Sequence, residues 1–190
     1  MLASLFDTQH AAHASQVRRL DAVFGRTGRG LEVGSYAGGF LAAARDGGWM
    51  FDGVDVSPAA CAFAAGKGFH VTCGQLQDVI ATERYDVVAV WNTFEQLHDS
   101  RAAVRAARSF LKEGGMLAVR VPSGSFYARW RARLAGPFAG VAERLLAHNN
   151  LLAFPYLKGF TAHSMGWLLE RAGFSVKTVH RDTLVPVADE

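Results

Sequence analysis

A glycine-rich segment, Leu31–Phe40, followed by an acid at Asp55 is the feature of this sequence that points most directly to ligand binding. Gly34 allows the chain to turn sharply, and Gly38 and Gly39 allow the next helix to begin close to a ligand. Exposed backbone amides at such a helix start suit an electron-rich group such as a carboxylate. Asp55 follows about twenty residues later, as in nucleotide fingerprints. Since its carboxylate can accept hydrogen bonds from two vicinal ribose hydroxyls, the combination predicts an adenosine-containing ligand.

Two residues around this turn decide which adenosine-containing ligand is favoured. A dinucleotide needs a second fingerprint glycine so that the backbone can approach the pyrophosphate, but Tyr36 stands at that position. Glu32, which precedes the turn, repels a pyrophosphate and attracts the ammonium group of a methionine. S-adenosylmethionine carries no phosphate and ends in a compact amino acid. The sequence therefore predicts S-adenosylmethionine in preference to NAD.

Alternating strands and helices are predicted to position these residues. The apolar segments that we predict as strands are Leu31–Val33, Met50–Val56, Phe69–Cys73, Asp86–Trp91 and Met116–Val121. The segments that we predict as helices between them are Phe40–Arg45, Pro58–Gly66, a short one at Leu76–Ala81, and Ser100–Leu111. This alternation is typical of an α/β fold with a Rossmann-like, doubly wound, mostly parallel sheet. Ligands bind at the carboxyl ends of the strands of such a sheet, where the glycine turn and Asp55 both lie.

The whole chain is predicted to form a single domain with four parts. These are an N-terminal helical segment (1–29), the cofactor-binding core (30–121), a helical and loop insertion on the substrate side (122–160), and a C-terminal helix and strand (161–190). The predicted C-terminal elements are a helix at Ala162–Ala172 and a strand at Phe174–His180. The N-terminal helix is predicted over Thr8–Phe24 with Thr8 as its cap, and its His10 and His13 are interpreted as solvated.

Composition and charge exclude several classes of protein. Of the 190 residues, 50% are apolar and 19% are charged, which is ordinary for a packed globular protein. The formal net charge of +3 is not the concentrated basic stripe of a nucleic-acid binder. The sequence has no run of about 18 apolar residues that could span a membrane, and its start lacks the features of a secretory signal. We therefore expect a cytoplasmic protein without nucleic-acid or membrane partners, in which Cys61 and Cys73 are buried free thiols.

Several motifs, taken in order, resemble a known family. They are Leu31–Phe40, Gly53–Pro58, Tyr85–Asn92, Phe94–Asp99, Phe110–Gly115, Gly159–Thr161 and Leu168–Phe174. Their order and spacing resemble class I S-adenosylmethionine-dependent methyltransferases, specifically the methyltransferase domain 23-like branch, from about Gly30 to Val179. The resemblance implies an enzyme of that class and its fold, in which Thr183–Val187 supplies only a stub of the last edge strand.

The resemblance also implies a set of cofactor-binding residues. These are Glu32, Gly34, Ser35, Tyr36, Ala37, Gly38, Asp55, Val56, Gln75, Leu76 and Asn92. The glycine turn is expected to line the methionine end of the cofactor. Asp55 is expected to take the ribose hydroxyls, and Val56 is expected to lie against the adenine face. Gln75 and Leu76 are expected to border the adenine amino edge, and Asn92 to face the sulfonium and the amino-acid end.

The catalytic mechanism is the part of the site that the sequence leaves open. Gln75 stands where relatives often carry Asp, and Gln96 stands where they often carry His, which removes the obvious local base. His98 is the nearest remaining candidate for a catalytic base, although capping of the following helix is the favoured interpretation. His148 and His163 are weaker candidates.

Aromatic residues after the fifth predicted strand are candidates for the acceptor pocket. Phe126, Tyr127 and Tyr156 are the substrate-side candidates, and Trp130 and Phe154 accompany them. Packing of helices onto the sheet explains the same residues equally well.

The predicted reaction is transfer of a methyl group from S-adenosylmethionine to a small-molecule acceptor, without a metal. Oxygen, nitrogen and carbon all remain open as the acceptor atom, and monomer and homodimer both remain open as the assembly. The first alternative is a protein of methyltransferase ancestry that binds S-adenosylmethionine or acts as a scaffold without catalysis. A weaker alternative is an NAD-dependent oxidoreductase, because the second fingerprint glycine is missing.

Overall fold

The computed structural model describes residues 1–80, 83–125, 133 and 158–181 of the chain. These residues fall into two compact units. The first unit contains Met1–Trp91 and Arg105–Arg120, and the second contains Asn92–Val104 together with the described residues from Val121 onward. The β-sheet lies within the first unit.

Five parallel strands form this sheet. They are β1 (Arg29–Val33), β2 (Met50–Asp55), β3 (Val71–Cys73), β4 (Tyr85–Trp91) and β5 (Leu111–Arg120). Their spatial order is β3-β2-β1-β4-β5, and every neighbouring pair is parallel. The winding direction reverses between β1 and β4, so the carboxyl end of β1 is the switch point at which such sheets bind ligands. The predicted α/β fold with a doubly wound parallel sheet is confirmed.

Five α-helices are present in the described residues. They are α1 (Leu2–Phe24), α2 (Gly39–Asp46), α3 (Pro58–Gly66), α4 (Ser100–Phe110) and α5 (Ala162–Arg171), with 3-10 turns at Leu76–Asp78 and Phe94–Gln96. The Ser57 side chain caps α3 by accepting a hydrogen bond from the Ala60 N–H, and Pro58 occupies the first turn. Thr161 and Ser164 form a reciprocal capping box at the start of α5. None of these helices is long and apolar enough to cross a lipid bilayer.

The core of the first unit combines a buried central strand with a cluster of aromatic rings. All of β4 except its last residue is buried, as expected for a parallel strand covered on both faces. The ring of Phe40 in α2 makes edge contacts with Phe51 and Trp91, at centroid distances of 5.0 and 5.3 Å. A Cβ added at Gly39 would collide with Gln9, which shows that α1 packs directly on the start of α2. The helix that follows the glycine turn is thus fixed from the side of α1.

An ion cluster around the buried Asp86 fixes the amino end of the sheet. Asp86 Oδ2 accepts hydrogen bonds from the Arg29 backbone N–H and from Lys112 Nζ, both at 3.0 Å. Its Oδ1 accepts a hydrogen bond from Arg26 at 2.9 Å. Burial alone would raise the pKa of this carboxyl, but these hydrogen bonds hold the pKa below its ordinary value. The cluster therefore joins β1 and β4 at the end opposite to the glycine turn.

The structure corrects several predicted element boundaries. α1 begins at Leu2, and Thr8 does not cap it, because the Thr8 hydroxyl donates to the Ser4 carbonyl inside the helix at 2.9 Å. β5 begins earlier than predicted and takes in the glycine turn that precedes the predicted strand. Of the helix predicted over Leu76–Ala81, the described residues form only a 3-10 turn at Leu76–Asp78.

The two histidines of α1 differ from their predicted solvated state. His10 Nε2 lies 2.7 Å from Asp46 Oδ2 at the end of α2. His13 Nδ1 is buried and has no hydrogen-bond partner in the part of the chain that the structure describes. Its ring packs edge-on against Phe40 at 5.5 Å. Burial, together with the positive charge of Arg120, lowers the pKa of His13 to about 4.

Two further predictions from the sequence are also wrong. The segment Phe174–His180 forms no strand, and its Val176 and Val179 are 41% and 64% exposed. An alternating apolar pattern becomes a strand only where a neighbouring strand supplies the hydrogen bonds, and none of the described strands pairs with this segment. Cys73 is exposed, whereas Cys61 is buried as predicted, and both are free thiols.

Candidate functional site

The glycine turn between β1 and α2 is held by backbone hydrogen bonds to the neighbouring strand. The N–H groups of Gly34 and Ser35 both donate to the Val54 carbonyl of β2, at 2.8 and 3.1 Å. The Gly38 N–H donates to the Ser35 carbonyl at 2.8 Å and closes the turn. Gly34 and Gly38 have φ values of 79° and 84°, which glycine adopts without the steric cost of a Cβ. The predicted sharp turn and early helix start are therefore both present.

Asp55 at the end of β2 connects this turn to the start of α3. Its Oδ2 accepts a hydrogen bond from the Tyr36 N–H at 2.9 Å, and its Oδ1 accepts one from the Ser57 N–H at 2.8 Å. Tyr36 has a φ of 45°, which is uncommon for a residue with a side chain. Each carboxylate oxygen keeps a second lone pair, so Asp55 can still accept hydrogen bonds from a ligand.

Two buried polar side chains of the turn each carry an oxygen that has no hydrogen-bond partner in the described residues. Glu32 is 3% exposed and its Oε2 is unpartnered. Burial, and to a smaller extent the negative charge of Asp55, raises the pKa of Glu32 well above its ordinary value. Ser35 is also 3% exposed, its Oγ is unpartnered, and a Cβ added at Gly53 would lie 2.6 Å from that oxygen. A ligand that donates hydrogen bonds would satisfy both groups.

The residues predicted around the adenine lie at the ends of β2 and β3. Val56 directly follows Asp55 and is 71% exposed, which leaves an apolar surface beside the acid. Gln75 is exposed, and its Oε1 accepts a hydrogen bond from Gln77 Nε2 at 2.8 Å. Leu76 begins the 3-10 turn that follows. Their adenine contacts stay predictions.

In the second unit, Asn92 directly follows β4 and has an unusual backbone conformation. Its φ is 53°, and its buried Oδ1 has no hydrogen-bond partner in the described residues. Its carbonyl accepts a hydrogen bond from Gln96 Nε2 at 2.9 Å. Strained backbone of this kind is concentrated at functional positions, which agrees with the predicted role of Asn92 without testing it.

Glu95 is a buried acid that the sequence prediction missed. It is 1% exposed, and neither carboxylate oxygen has a partner in the described residues. Burial raises the pKa of Glu95 to about 6. The signal in the sequence was an acid directly beside Phe94, but burial of that acid depends on the packing of residues distant in the chain.

His98, the candidate base, neither is buried nor caps the helix that follows it. Its side chain is exposed. Asp99 caps α4 instead, because its Oδ1 accepts hydrogen bonds from the N–H groups of Arg101 and Ala102 at 2.9 Å each. His163 is an exposed residue of α5. The substrate-side candidates Phe126, Tyr127 and Tyr156, together with Trp130, Phe154 and His148, lie outside the described residues.

Metal chemistry receives no support from the part of the chain that the structure describes. Within it, no three His, Cys, Asp or Glu side chains are grouped so that they could hold a metal ion. Around the glycine turn, the structure brings together the polar groups of Glu32, Ser35 and Asp55. They are suited to binding a ligand with ammonium and hydroxyl groups.

Solved structures that are similar to the chain are methyltransferases. A SAM-dependent methyltransferase from Thermotoga maritima, a "possible histamine N-methyltransferase", is 21% identical, with a TM-score of 0.65 over 92% of this chain and 77% of that chain. A sugar N-methyltransferase from Streptoalloteichus is 27% identical, with a TM-score of 0.55 over 61% of this chain and 50% of that chain. The plantazolicin methyltransferase, solved with SAH, is 14% identical, with a TM-score of 0.63 over 90% of this chain and 67% of that chain.

The sequence of the chain was also compared with known protein families and with curated proteins. No curated protein sequence matches the chain. The profile of the methyltransferase domain 23 family matches residues 7–179, which is most of its length. The chain therefore belongs to this methyltransferase family, which confirms the predicted enzyme class and S-adenosylmethionine as its cofactor.

Proposed function

We propose that the chain transfers the methyl group of S-adenosylmethionine to a small-molecule acceptor, with the cofactor held on the glycine turn of the first unit. The observation that carries this proposal is the buried Glu32 Oε2 at the carboxyl end of β1, which has no hydrogen-bond partner among the residues that the structure describes. A buried carboxyl that lacks a donor destabilises the protein unless a ligand supplies one. The ammonium group of a methionine supplies both the donors and the opposite charge.

The other residues of the turn fit the remaining parts of the same ligand. The backbone amides near the start of α2 suit the methionine carboxylate. Asp55 is held in place by the Tyr36 and Ser57 N–H groups and keeps acceptor capacity for two ribose hydroxyls. The exposed Val56 offers an apolar surface to the adenine. A pyrophosphate, by contrast, would bring negative charge beside both Glu32 and Asp55.

The chain acts mainly by binding and orienting the reactants. When bound, S-adenosylmethionine supplies a methyl group on a positively charged sulfur, so the protein needs no electrophile of its own. Hydrogen bonds from backbone groups fix Asp55 before any ligand arrives, which reduces the ordering cost of binding. Asn92, directly after β4, is the predicted contact to the sulfonium and the amino-acid end. Alignment of the two reactants in this way supplies a large part of the rate enhancement of a bimolecular displacement.

The proposed acceptor is a small molecule. Two of the similar structures are a "possible histamine N-methyltransferase" and a sugar N-methyltransferase, and both names refer to compact acceptors. The chain spans only half the length of the sugar N-methyltransferase, so the acceptor of that enzyme is not transferred to this chain. A net charge of +3 gives no reason to add nucleic acid to the acceptor classes.

Isothermal titration calorimetry with S-adenosylmethionine, S-adenosylhomocysteine and NAD tests the cofactor site. We expect S-adenosylmethionine and S-adenosylhomocysteine both to bind the wild type. Asp55→Ala is expected to lower the affinity for both at least about tenfold, because a charged hydrogen-bond acceptor is lost. Asp46→Ala is the matched control, since Asp46 is an exposed residue at the end of α2 that pairs with His10. Tight NAD binding alone, or unchanged affinity in Asp55→Ala, would contradict the proposal.

Transfer of labelled methyl groups to a panel of small molecules tests catalysis. Amines, alcohols and activated carbon acids are offered to the wild type, and S-adenosylhomocysteine release is followed in parallel. We expect one class of acceptor to be labelled. Binding of S-adenosylmethionine without transfer to any member of the panel would favour the alternative of a binding or scaffold protein.

A further inference from the structure

The two cysteines of the chain come together in the first unit, beside Asp55. Cys61 lies in the first turn of α3, where its N–H donates to the Ser57 carbonyl at 2.9 Å. Cys73 is the last residue of β3 and lies opposite Asp55 in the parallel pairing of β2 with β3. A helix and a strand that follow one another in the chain thus each bring a thiol to the carboxyl end of β2.

The two thiols meet at the Asp55 backbone. The Asp55 carbonyl accepts a hydrogen bond from Cys61 Sγ at 3.2 Å and another from the Gly74 N–H at 2.9 Å. Neighbouring strands of a sheet are only ~4.8 Å apart, so the residue opposite Asp55 is within reach of a side chain that contacts it. The Cys73 thiol indeed hydrogen-bonds to the Cys61 thiol. The two sulfurs are therefore direct neighbours, which is the first requirement for a disulfide.

The two thiols differ in their access to solvent and in their reactivity. Cys73 is exposed, whereas Cys61 is 6% exposed. Burial, followed by the hydrogen bond and charge of Cys73 and the charge of Asp55, raises the pKa of Cys61 to about 12. Since the thiolate is the reactive form, Cys73 is the thiol that meets a reagent from solution first. An accessible cysteine with a second cysteine beside it is the usual arrangement of a redox-sensitive pair.

We propose that Cys61 and Cys73 form a reversible disulfide when the chain meets a small-molecule disulfide such as oxidised glutathione, and that this bond weakens the binding of S-adenosylmethionine at Asp55. Formation of the bond depends on the two cysteines alone, whereas its effect on binding rests on the proposed function. Both cysteines, and Asp55 between them, belong to the first unit.

The oxidation consists of two thiol–disulfide exchanges. The Cys73 thiolate attacks one sulfur of oxidised glutathione, the S–S bond of the oxidant breaks, and one glutathione leaves with the electron pair. The Cys61 thiol then loses its proton to water and attacks the Cys73 sulfur of the mixed disulfide, which releases the second glutathione. The chain loses two electrons and two protons, and the oxidant gains both as two molecules of reduced glutathione.

The disulfide acts on Asp55 through the backbone. It removes the S–H group that donates to the Asp55 carbonyl. It also holds the two sulfurs about 2.05 Å apart, which is closer than two thiols in contact, so the first turn of α3 is drawn towards the end of β3. The Ser57 N–H, at the start of that turn, donates to Asp55 Oδ1 at 2.8 Å. The movement therefore displaces the carboxylate that is proposed to bind the ribose.

Thiol labelling under denaturing conditions, followed by mass spectrometry, tests the bond. Wild type treated with oxidised glutathione is expected to carry no iodoacetamide label, and to regain two labels after dithiothreitol. Cys61→Ala is expected to stop at the mixed disulfide of Cys73. Cys73→Ser is expected to react at least about tenfold more slowly, because its remaining thiol is buried. If Cys61→Ala does not fold, Cys73→Ser provides the comparison by itself.

Calorimetry with S-adenosylmethionine on the reduced and the oxidised protein tests the effect on binding. The Kd of wild type is expected to rise at least about fivefold on oxidation and to return with dithiothreitol, because a hydrogen bond to Asp55 is lost and its carboxylate is displaced. Cys73→Ser is the matched control. After the same treatment it is expected to keep the affinity of the reduced wild type.

Each result decides one part of the inference. Two labelled thiols in treated wild type, a mixed disulfide that does not close, or a disulfide between two chains through Cys73 would overturn the bond. A closed disulfide with an unchanged Kd would overturn its effect on binding. Failure of the reduced wild type to bind S-adenosylmethionine would instead contradict the proposed function, and the labelling experiment would still decide whether Cys61 and Cys73 form the bond.

Discussion

The Tyr36 backbone N–H donates to Asp55 Oδ2 at 2.9 Å, so the acid at the end of β2 fixes the turn at the end of β1. The bond holds Tyr36 at a φ of 45°, where a glycine is more usual. The Ser57 N–H occupies the other carboxylate oxygen at 2.8 Å. Asp55 therefore organises both loops at the switch point of the sheet, where we propose that it also accepts hydrogen bonds from a ribose.

The loss of stability caused by a substitution at Tyr36 is expected to depend on how well the new residue adopts the backbone conformation, and not on the polarity of its side chain. Tyr36→Val is expected to lose about 1–2 kcal/mol of unfolding free energy, because a β-branched residue fits poorly at positive φ. Tyr36→Asn is expected to lose less, since Asn adopts this conformation more readily. Urea unfolding without cofactor measures both. Equal losses for the two variants would show that the tyrosine side chain, not the backbone, stabilises the turn.

Glu32→Gln is expected to weaken cofactor binding without lowering the stability of the protein. The folded-state pKa of Glu32 is raised, so its stability contribution is present at acidic pH and is lost as pH rises above about 4.5. Removing the buried ionisable group is therefore expected to leave the cofactor-free protein equally or more stable at pH 8. The affinity for S-adenosylmethionine is expected to fall at least about tenfold, because the partner of the ammonium group loses its charge. Thermal unfolding and calorimetry measure the two effects, with Glu113→Gln as the control. A less stable protein with unchanged affinity would contradict the assignment.

Asp86→Asn is expected to lower the stability of the protein while leaving its cofactor affinity almost unchanged. The substitution weakens the hydrogen bonds from Arg26, Arg29 and Lys112 at the amino end of the sheet, and we expect a loss of about 2 kcal/mol. The folded-state pKa of Asp86 is lowered, so this contribution is present at neutral pH and is lost as pH falls through the acidic range. Cofactor affinity is expected to stay within about twofold of wild type, because the glycine turn lies at the other end of the strands. Urea unfolding at pH 7 and pH 4, combined with calorimetry, provides the comparison.

The parts of the molecule that follow from local sequence could be predicted, and the parts that depend on distant packing could not. The turn at Gly34 and the acid at Asp55 were predictable, because the carboxyl ends of adjacent parallel strands meet at one edge of the sheet. The burial of Glu95 was not, since it depends on Lys158 and Phe160, which lie far along the chain. The segment Phe174–His180 has the pattern of a strand, but a pattern supplies no partner for its hydrogen bonds. The motif Phe94–Asp99 contains Glu95, but the motif alone did not indicate that this acid is buried.

His13 is expected to make the protein less stable as the pH is lowered. Its pKa is about 4 in the folded chain against an ordinary value of 6.5, because burial beside Phe40 and the charge of Arg120 both oppose protonation. Between these two values the unfolded chain binds more protons, so the unfolding free energy rises with pH across that window and reaches its full value above it. The shift corresponds to about 3 kcal/mol. His13→Gln is expected to remove this dependence, whereas the exposed His163→Gln is expected to keep it. Urea unfolding at half-unit steps from pH 4.5 to 7.5 measures the difference, and parallel curves for wild type and His13→Gln would show that the imidazole is solvated after all.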